Sequence, residues 1–236
     1  MTRLRSGLRN NREFSRLCDR LASGVANFED AHRVSQIAGE EATTALQAVL
    51  RPEVLPDRRL YYNIAERTLG VAMEYIDGIT ADYTMALQSE LYNIAGLNIK
   101  PIKPRQNTEG IKNICGLASD YEDFADGEWV LGAPVQTHVE TVVDRSVRAN
   151  AYFAEAAGIK SVVVRTAEPE CCEWCADLEG TYDYSEVRAA GSDVYRRHNK
   201  CKCVVEWYPG EGNRVQNVHM SHKSEDSWRY FRDPAN

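Results

Sequence analysis

The sequence lacks any apolar run long enough to cross a membrane, for which about 18 consecutive apolar residues would be needed. Its first seventeen residues, MTRLRSGLRNNREFSRL, lack the apolar stretch and the small-residue cleavage site of a secretory signal. Internal repeats and low-complexity tracts are also absent. These absences predict a protein that is made and kept in the cytosol and has no membrane partner.

Positive charge is in the minority. The 236 residues include 28 Lys and Arg against 35 Asp and Glu, a formal net charge of −7. Such a protein repels nucleic acid as a whole, so any DNA contact must be local. The first twenty residues are the exception, because only Glu13 and Asp19 oppose six arginines there: Arg3, Arg5, Arg9, Arg12, Arg16 and Arg20. This basic arm is either a contact for DNA or an acidic partner, or a solvated helix face.

Cysteine is concentrated rather than abundant. Five of the seven cysteines fall between Cys171 and Cys203, while Cys18 and Cys115 stand alone. In a reducing compartment, clustered cysteines indicate thiolate ligands more than disulfides. The two isolated cysteines are interpreted as small buried hydrophobic residues.

The first hundred residues predict helices. Apolar residues at helical spacing indicate two helices between Arg12 and Val49, broken near 24–27, and one long or once-broken helix from Leu60 to Ile94. A further helix is predicted from Pro134 to a stop at Gly158, followed by a strand over 160–166.

We therefore predict an α+β fold that is mainly α. Its helical N-terminal region is followed by a small α+β domain with short strands, which a zinc ion holds together. The predicted divisions are residues 1–97 (helices with the basic arm), 98–133 (linker, short helix and acidic loop), 134–208 (the Cys/His domain) and 209–236 (a polar tail).

The cysteine cluster has the spacing of a metal site. Cys172 and Cys175 form a C-x-x-C, and His198 with Cys201 forms an H-x-x-C that extends to Cys203. Two such turns suit tetrahedral zinc. The predicted ligands are Cys172, Cys175 and His198 with Cys201, or with Cys203 in place of His198 or Cys201. Cys171 is spare, and reduced buried thiols without metal are the alternative.

Four protein ligands leave a zinc ion no open position for water, so this site predicts a structural role and no enzyme activity. A catalytic alternative uses other residues. His138 and Glu140, followed later by Pro169, Cys172 and Cys175, resemble the zinc-dependent nucleobase deaminases, in which the glutamate moves protons beside an open metal position. Two residues separate Pro169 from Cys172, however, and the strands expected upstream are missing.

A second resemblance covers about residues 134–210. The C-x-x-C, a following leucine and glycine, an aromatic residue, and a distal histidine with C-x-C resemble the signature of the Mu F-like minor head proteins, the phage head morphogenesis family. The matching residues are Cys172, Cys175, Leu178, Gly180, Tyr182, His198, Cys201 and Cys203. Asn199 stands where that family often has proline.

This resemblance implies a structural minor capsid protein of a tailed bacteriophage, made in the host cytoplasm and located in the virion head. The expected partner is the portal, the major capsid protein or both, with packaged DNA as a further contact through Arg3, Arg5, Arg9 and Arg12. The expected role is head assembly or DNA packaging and delivery, with structural zinc as the cofactor.

Overall fold

The structure is a computed structural model that describes residues 1–190, 193–198 and 200–209. Asn199 and the predicted polar tail beyond residue 209 lie outside the described residues. Within the described part, no helix is both long and apolar enough to span a bilayer.

Helices dominate the described chain. They are α1 (Thr2–Asn10), α2 (Arg12–Ala22), α3 (Phe28–Gln47), α4 (Tyr62–Ala65), α5 (Val71–Ile94), α6 (Thr108–Ser119), α7 (Phe124–Gly127), α8 (Ala133–Ala156), α9 (Glu173–Asp177) and α10 (Tyr184–Ala190). Short 3₁₀ turns occupy Pro52–Val54, Pro56–Arg58, Glu128–Leu131 and Asp193–Tyr195. Together with one small sheet, these helices confirm the mainly α, α+β fold class.

Local sequence explains the helix boundaries. α2 ends before Gly24, whose φ of 68° suits glycine, and α3 begins behind a capping box in which Asn27 and Asp30 exchange hydrogen bonds. The break predicted near 24–27 is therefore confirmed. The helix predicted from Leu60 to Ile94 is interrupted once, by a π-helical turn over Glu66–Gly70 that lies between α4 and α5.

The N-terminal arm is a docked helix. Leu4 and Leu8 of α1 are buried against the other helices, whereas Arg3, Arg5 and Arg9 stay exposed. Apolar burial through one face therefore holds the basic surface in place.

The long helices α3, α5 and α8 pack against one another and form the main core. α8 was grouped with the Cys/His region from its position in the sequence. In the structure it lies between that region and the other helices, and Val139, Val143 and Val147 share the core of α3 and α5. Val163 and Trp207 of the sheet belong to the same core.

Three antiparallel strands form the sheet, in the order β2-β1-β3: β1 (Ser161–Thr166), β2 (Gly180–Asp183) and β3 (Val204–Pro209). β1 pairs with both neighbours, with Val163 opposite Tyr182 on one side and Trp207 on the other. Trp207 is fully buried, and its ring meets Tyr92 of α5 edge to face at 5.2 Å. The sheet therefore rests on the helices and presents its strand ends to the cysteine segments.

Candidate metal centre

Two tight turns carry the predicted ligands. In the first, Cys172 occupies the N-cap position of α9, and the backbone N–H of Cys175 donates to the Cys172 carbonyl at 3.0 Å. In the second, the N–H of Cys201 donates to the His198 carbonyl at 3.1 Å. Each turn brings two side chains three positions apart to the same side.

The side-chain distances match those of a tetrahedral metal site. Sγ of Cys172 and Sγ of Cys175 lie 3.3 and 3.1 Å from Nε2 of His198, and the sulfurs of Cys175 and Cys201 are 3.7 Å apart. A zinc ion with Zn–S bonds of about 2.3 Å and Zn–N bonds of about 2.1 Å requires S–S edges of about 3.8 Å and S–N edges of about 3.6 Å. These three distances are close to the edge lengths of such a tetrahedron.

The donors fall into two overlapping sets that share Cys175. Cys172, Cys175 and His198 form one set, and Cys175, Cys201 and Cys203 form the other, with the ligand atoms of each within 4.8 Å of one another. The sets together contain all five residues predicted from the sequence. Cys171 is partly buried beside the cluster and belongs to neither. These residues could hold a metal ion.

The thiols of Cys201 and Cys203 share a hydrogen bond. This hydrogen bond lowers the pKa of Cys201 and raises the pKa of Cys203. The pair therefore favours one thiolate beside one thiol.

A buried arginine faces the sulfurs. Arg165 of β1 is fully buried, and its Nη2 lies 3.8 Å from Sγ of Cys175 and 3.7 Å from Sγ of Cys201. Its Nη1 donates to the carbonyls of Val194 and Arg196. A buried guanidinium requires a nearby negative charge, and thiolate ligands would supply it.

Trp174 covers the outer side of the site. Its ring lies 5.4 Å from the Arg165 guanidinium and meets His198 edge to face at 5.8 Å. Cys172 and His198 are exposed here, whereas Cys175, Cys201 and Cys203 are buried. Solvent therefore reaches the centre on the side of Cys172 and His198.

A second buried arginine joins the metal segment to the helices. Arg197 has no exposed side-chain surface, and it donates to the carbonyls of Cys201 and Cys203 at 3.2 and 2.7 Å. Its guanidinium also forms ion pairs with Asp144 and Glu140 of α8, the latter at 3.3 Å. Arg197 therefore fixes the H-x-x-C backbone against α8.

His32 of α3 completes this contact. Nη2 of Arg197 donates to Nδ1 of His32 at 3.1 Å, and Nε2 of His32 lies 3.2 Å from the carbonyl oxygen and 3.1 Å from the amide nitrogen of Val205. Burial and the neighbouring Arg197 charge lower the pKa of His32 to about 4. His32 is thus neutral at pH 7 and joins α3 to both Arg197 and β3.

The histidine of the deaminase pattern is not grouped with the cysteines of that pattern. Nε2 of His138 is 3.1 Å from the Asp77 carboxylate inside the helical core. Among the described residues, the metal-ligand groupings that include Cys172 and Cys175 contain His198 and not His138. Burial raises the pKa of Glu140 to about 7, and its carboxylate pairs with Arg197.

Leu178, Gly180 and Tyr182, which lie between the two ligand turns in the sequence, are also in contact. Tyr182 of β2 donates its hydroxyl to the Leu178 carbonyl at 3.0 Å. A Cβ on Gly180 would lie 3.3 Å from the Tyr182 ring, closer than most side chains tolerate. The leucine, glycine and aromatic positions therefore form one compact turn after the C-x-x-C.

Arg165, Arg197, Asp144 and His32 were not identified from the sequence. The one available signal was Arg165, a charged residue within the apolar run SVVVRT. Comparison with known protein families, curated proteins and solved structures finds no match for this chain.

Proposed function

We propose that Cys172, Cys175, His198 and Cys201 hold one structural zinc ion. Three soft sulfur donors with an imidazole favour zinc, and four protein ligands close the coordination sphere. A bound zinc ion would cross-link α9 to the segment before β3. Arg165 offsets the negative charge of the thiolates, and Arg197 holds the second turn in position.

Cys201 is preferred over Cys203 as the fourth ligand, because its sulfur lies 3.7 Å from that of Cys175, close to the edge length of a tetrahedral zinc site. Zinc per chain, measured by elemental analysis of Cys201→Ala and Cys203→Ala, tests this choice. The proposal expects Cys203→Ala to retain the metal and Cys201→Ala to lose it. The reverse result would identify Cys203 as the ligand.

The larger proposal is that the chain is a structural minor head protein of a tailed bacteriophage, associated with the portal. The observation that carries it is the metal centre. The two short segments that resemble the Mu F-like signature are the two that supply the donors, and Leu178, Gly180 and Tyr182 form the turn between them. The proposal assigns no catalytic residue, since a closed site gives stability rather than an open position for substrate.

The expected partners are the portal and the major capsid protein. The exposed arginines of α1 and the start of α2 are the local positive surface that such a protein would offer to packaged DNA: Arg3, Arg5, Arg9 and Arg12. With these partners, the protein would aid head assembly or DNA packaging and delivery.

Purified DNA-filled heads from cells producing the phage that encodes this chain provide the test. Mass spectrometry should detect the chain in the head fraction at few copies per particle, and heads lacking it should assemble or deliver DNA poorly. Recovery of the chain only from the soluble host fraction, with normal heads in its absence, would contradict the proposal.

A further inference from the structure

A groove lies between α1, the end of α3 and the start of α5. Its space is about 300 Å³, and Leu4 and Leu46 form its buried floor. Three of its apolar side chains are exposed, namely Met1 at 44%, Val49 at 47% and Val71 at 41%. Exposed apolar side chains gathered in one groove mark an interaction surface more than scattered ones do.

The rim of this groove is positive. Arg3 and Arg67 line it, and neither forms an ion pair with any residue in the described part of the chain. An occupant that suits the groove therefore combines a large apolar side chain with carboxylates beside it.

The same molecule carries such a surface elsewhere, here called the acidic tryptophan surface. Trp129 is 50% exposed, and a hydrogen bond from its Nε1 to the Tyr121 hydroxyl at 3.0 Å fixes the ring. Four exposed carboxylates accompany it, none in an ion pair with a described residue: Asp120, Glu122, Asp126 and Glu128. The fifth nearby acid, Asp123, is already paired with Arg58.

The groove and the acidic tryptophan surface lie on different sides of α3. Thr43 of α3 donates to the Leu131 carbonyl beside Trp129, whereas Ala45 and Val49 line the groove. Positions 43 and 45 are about 200° apart around an α-helix. The two surfaces therefore do not meet within one molecule.

We propose that the groove of one copy binds the acidic tryptophan surface of a second copy. Trp129 enters the groove against Met1, Val49 and Val71, while Asp126 and Glu128 face Arg3 and Arg67. Because the two surfaces differ, the contact is head-to-tail and can propagate, closing into a ring if the rotation between copies allows it. This inference depends neither on the metal centre nor on a role in phage heads.

Sedimentation velocity of the full zinc-loaded chain, across a range of protein and salt concentrations, tests the proposal with two charge-reversed variants. One carries Arg3→Glu with Arg67→Glu, and the other Asp126→Lys with Glu128→Lys. The wild type should self-associate, less so at high salt, and each variant alone should associate about tenfold more weakly or worse, because like charges then face each other.

An equimolar mixture of the two variants should restore association, since a reversed groove then meets a reversed acidic surface. Arg9→Glu with Arg12→Glu makes the same change in net charge outside the groove and should associate like the wild type. Circular dichroism and zinc content should be unchanged in all variants, because every substituted side chain is exposed.

Three outcomes would overturn the proposal. A wild-type chain that stays monomeric at every concentration would leave the groove to a different protein. Variants that associate as the wild type does would place the contact elsewhere. A mixture that fails to restore association would show that the two surfaces do not bind each other.

Discussion

The helical body (α1–α6 with α8) and the Cys/His region (β1–β3 with α9 and the H-x-x-C turn) are stabilised by different means. The body buries a continuous set of apolar side chains between α3, α5 and α8. Inside the Cys/His region, the buried cluster around the site consists of Cys175, Cys201 and Cys203, and two buried arginines lie beside it. Apolar side chains fill the body and the inner face of the sheet, whereas buried thiols and arginines surround the candidate metal centre.

The two regions meet at a polar contact as well as an apolar one. Trp207 packs on Tyr92, and next to it Arg197 joins Asp144 of α8, His32 of α3 and the carbonyls of the ligand turn. We therefore expect that a substitution in the body can weaken the metal centre without altering a ligand.

The largest expected effect comes from Cys175→Ala, which removes the donor shared by both ligand sets. Zinc in such sites contributes about 10 kcal/mol or more to folding. The Cys/His region should lose its protection from hydrogen exchange and proteolysis, while the helices of the body keep theirs.

Cys171→Ala is the matched control for this variant, because Cys171 lies beside the cluster but outside both ligand sets. It should retain zinc and protease resistance. Equal protection in Cys175→Ala and the wild type would show that the Cys/His region does not need this donor to stay folded.

The next effect should come from Asp144→Ala, which leaves the buried Arg197 without its closest carboxylate. Breaking a buried ion pair costs about 3 kcal/mol or more, and chemical denaturation should measure this loss. Zinc affinity, measured by chelator competition, should fall about tenfold, because Arg197 positions the ligand turn.

Asp82→Ala removes an exposed ion pair with Lys103 and serves as the control. It should change the free energy of unfolding by less than about 1 kcal/mol and leave zinc affinity unaltered. If Asp144→Ala destabilised the chain but left zinc affinity at the wild-type value, the contact through Arg197 would not couple the two regions.

Acid should weaken the contact through His32. Its pKa is about 4 in the folded chain and about 6.5 when unfolded, so between these values the unfolded state binds more protons. The stability contributed by the neutral ring is complete above pH 6.5 and is lost as the pH falls toward 4, by about 3 kcal/mol.

His32→Gln tests this, because an amide can still accept from Arg197 and donate to the Val205 carbonyl without titrating. Denaturation of both proteins across this pH range should show a shallower decline for the variant. Parallel curves would show that His32 does not contribute to the acid sensitivity.

The smallest effect should be confined to the body. Asn27→Ala removes the side chain that accepts from the Asp30 N–H at the start of α3, and loss of such a cap costs about 1 kcal/mol. Thermal unfolding should detect this change while zinc affinity stays constant. A change in zinc affinity would show that the start of α3 also influences the metal centre.

Structural features that depend on residues close together in the chain could be predicted from the sequence. Helical spacing and turn residues located the break before α3 and the stop of α8 at Gly158, since both are local effects. The five candidate donors also lie in the two groups that the structure brings together, because the C-x-x-C and H-x-x-C-x-C spacings are local patterns.

Long-range partners could not be predicted in this way. Arg197 meets Asp144 across 53 positions and His32 across 165, and no local pattern encodes either distance. Charged residues are usually exposed, so Arg197 beside His198 gave no sign of burial. The contact of His138 with Asp77, 61 positions away, likewise has no local pattern that encodes it.

Zinc per chain, measured for the wild type, His198→Ala and His138→Ala after each is shown to be folded, tests the closed metal centre most directly. The closed centre predicts one zinc ion in the wild type and in His138→Ala, and loss or strong weakening of zinc binding in His198→Ala. Zinc retained by His198→Ala and lost by His138→Ala would contradict it and place Glu140 beside an open metal position.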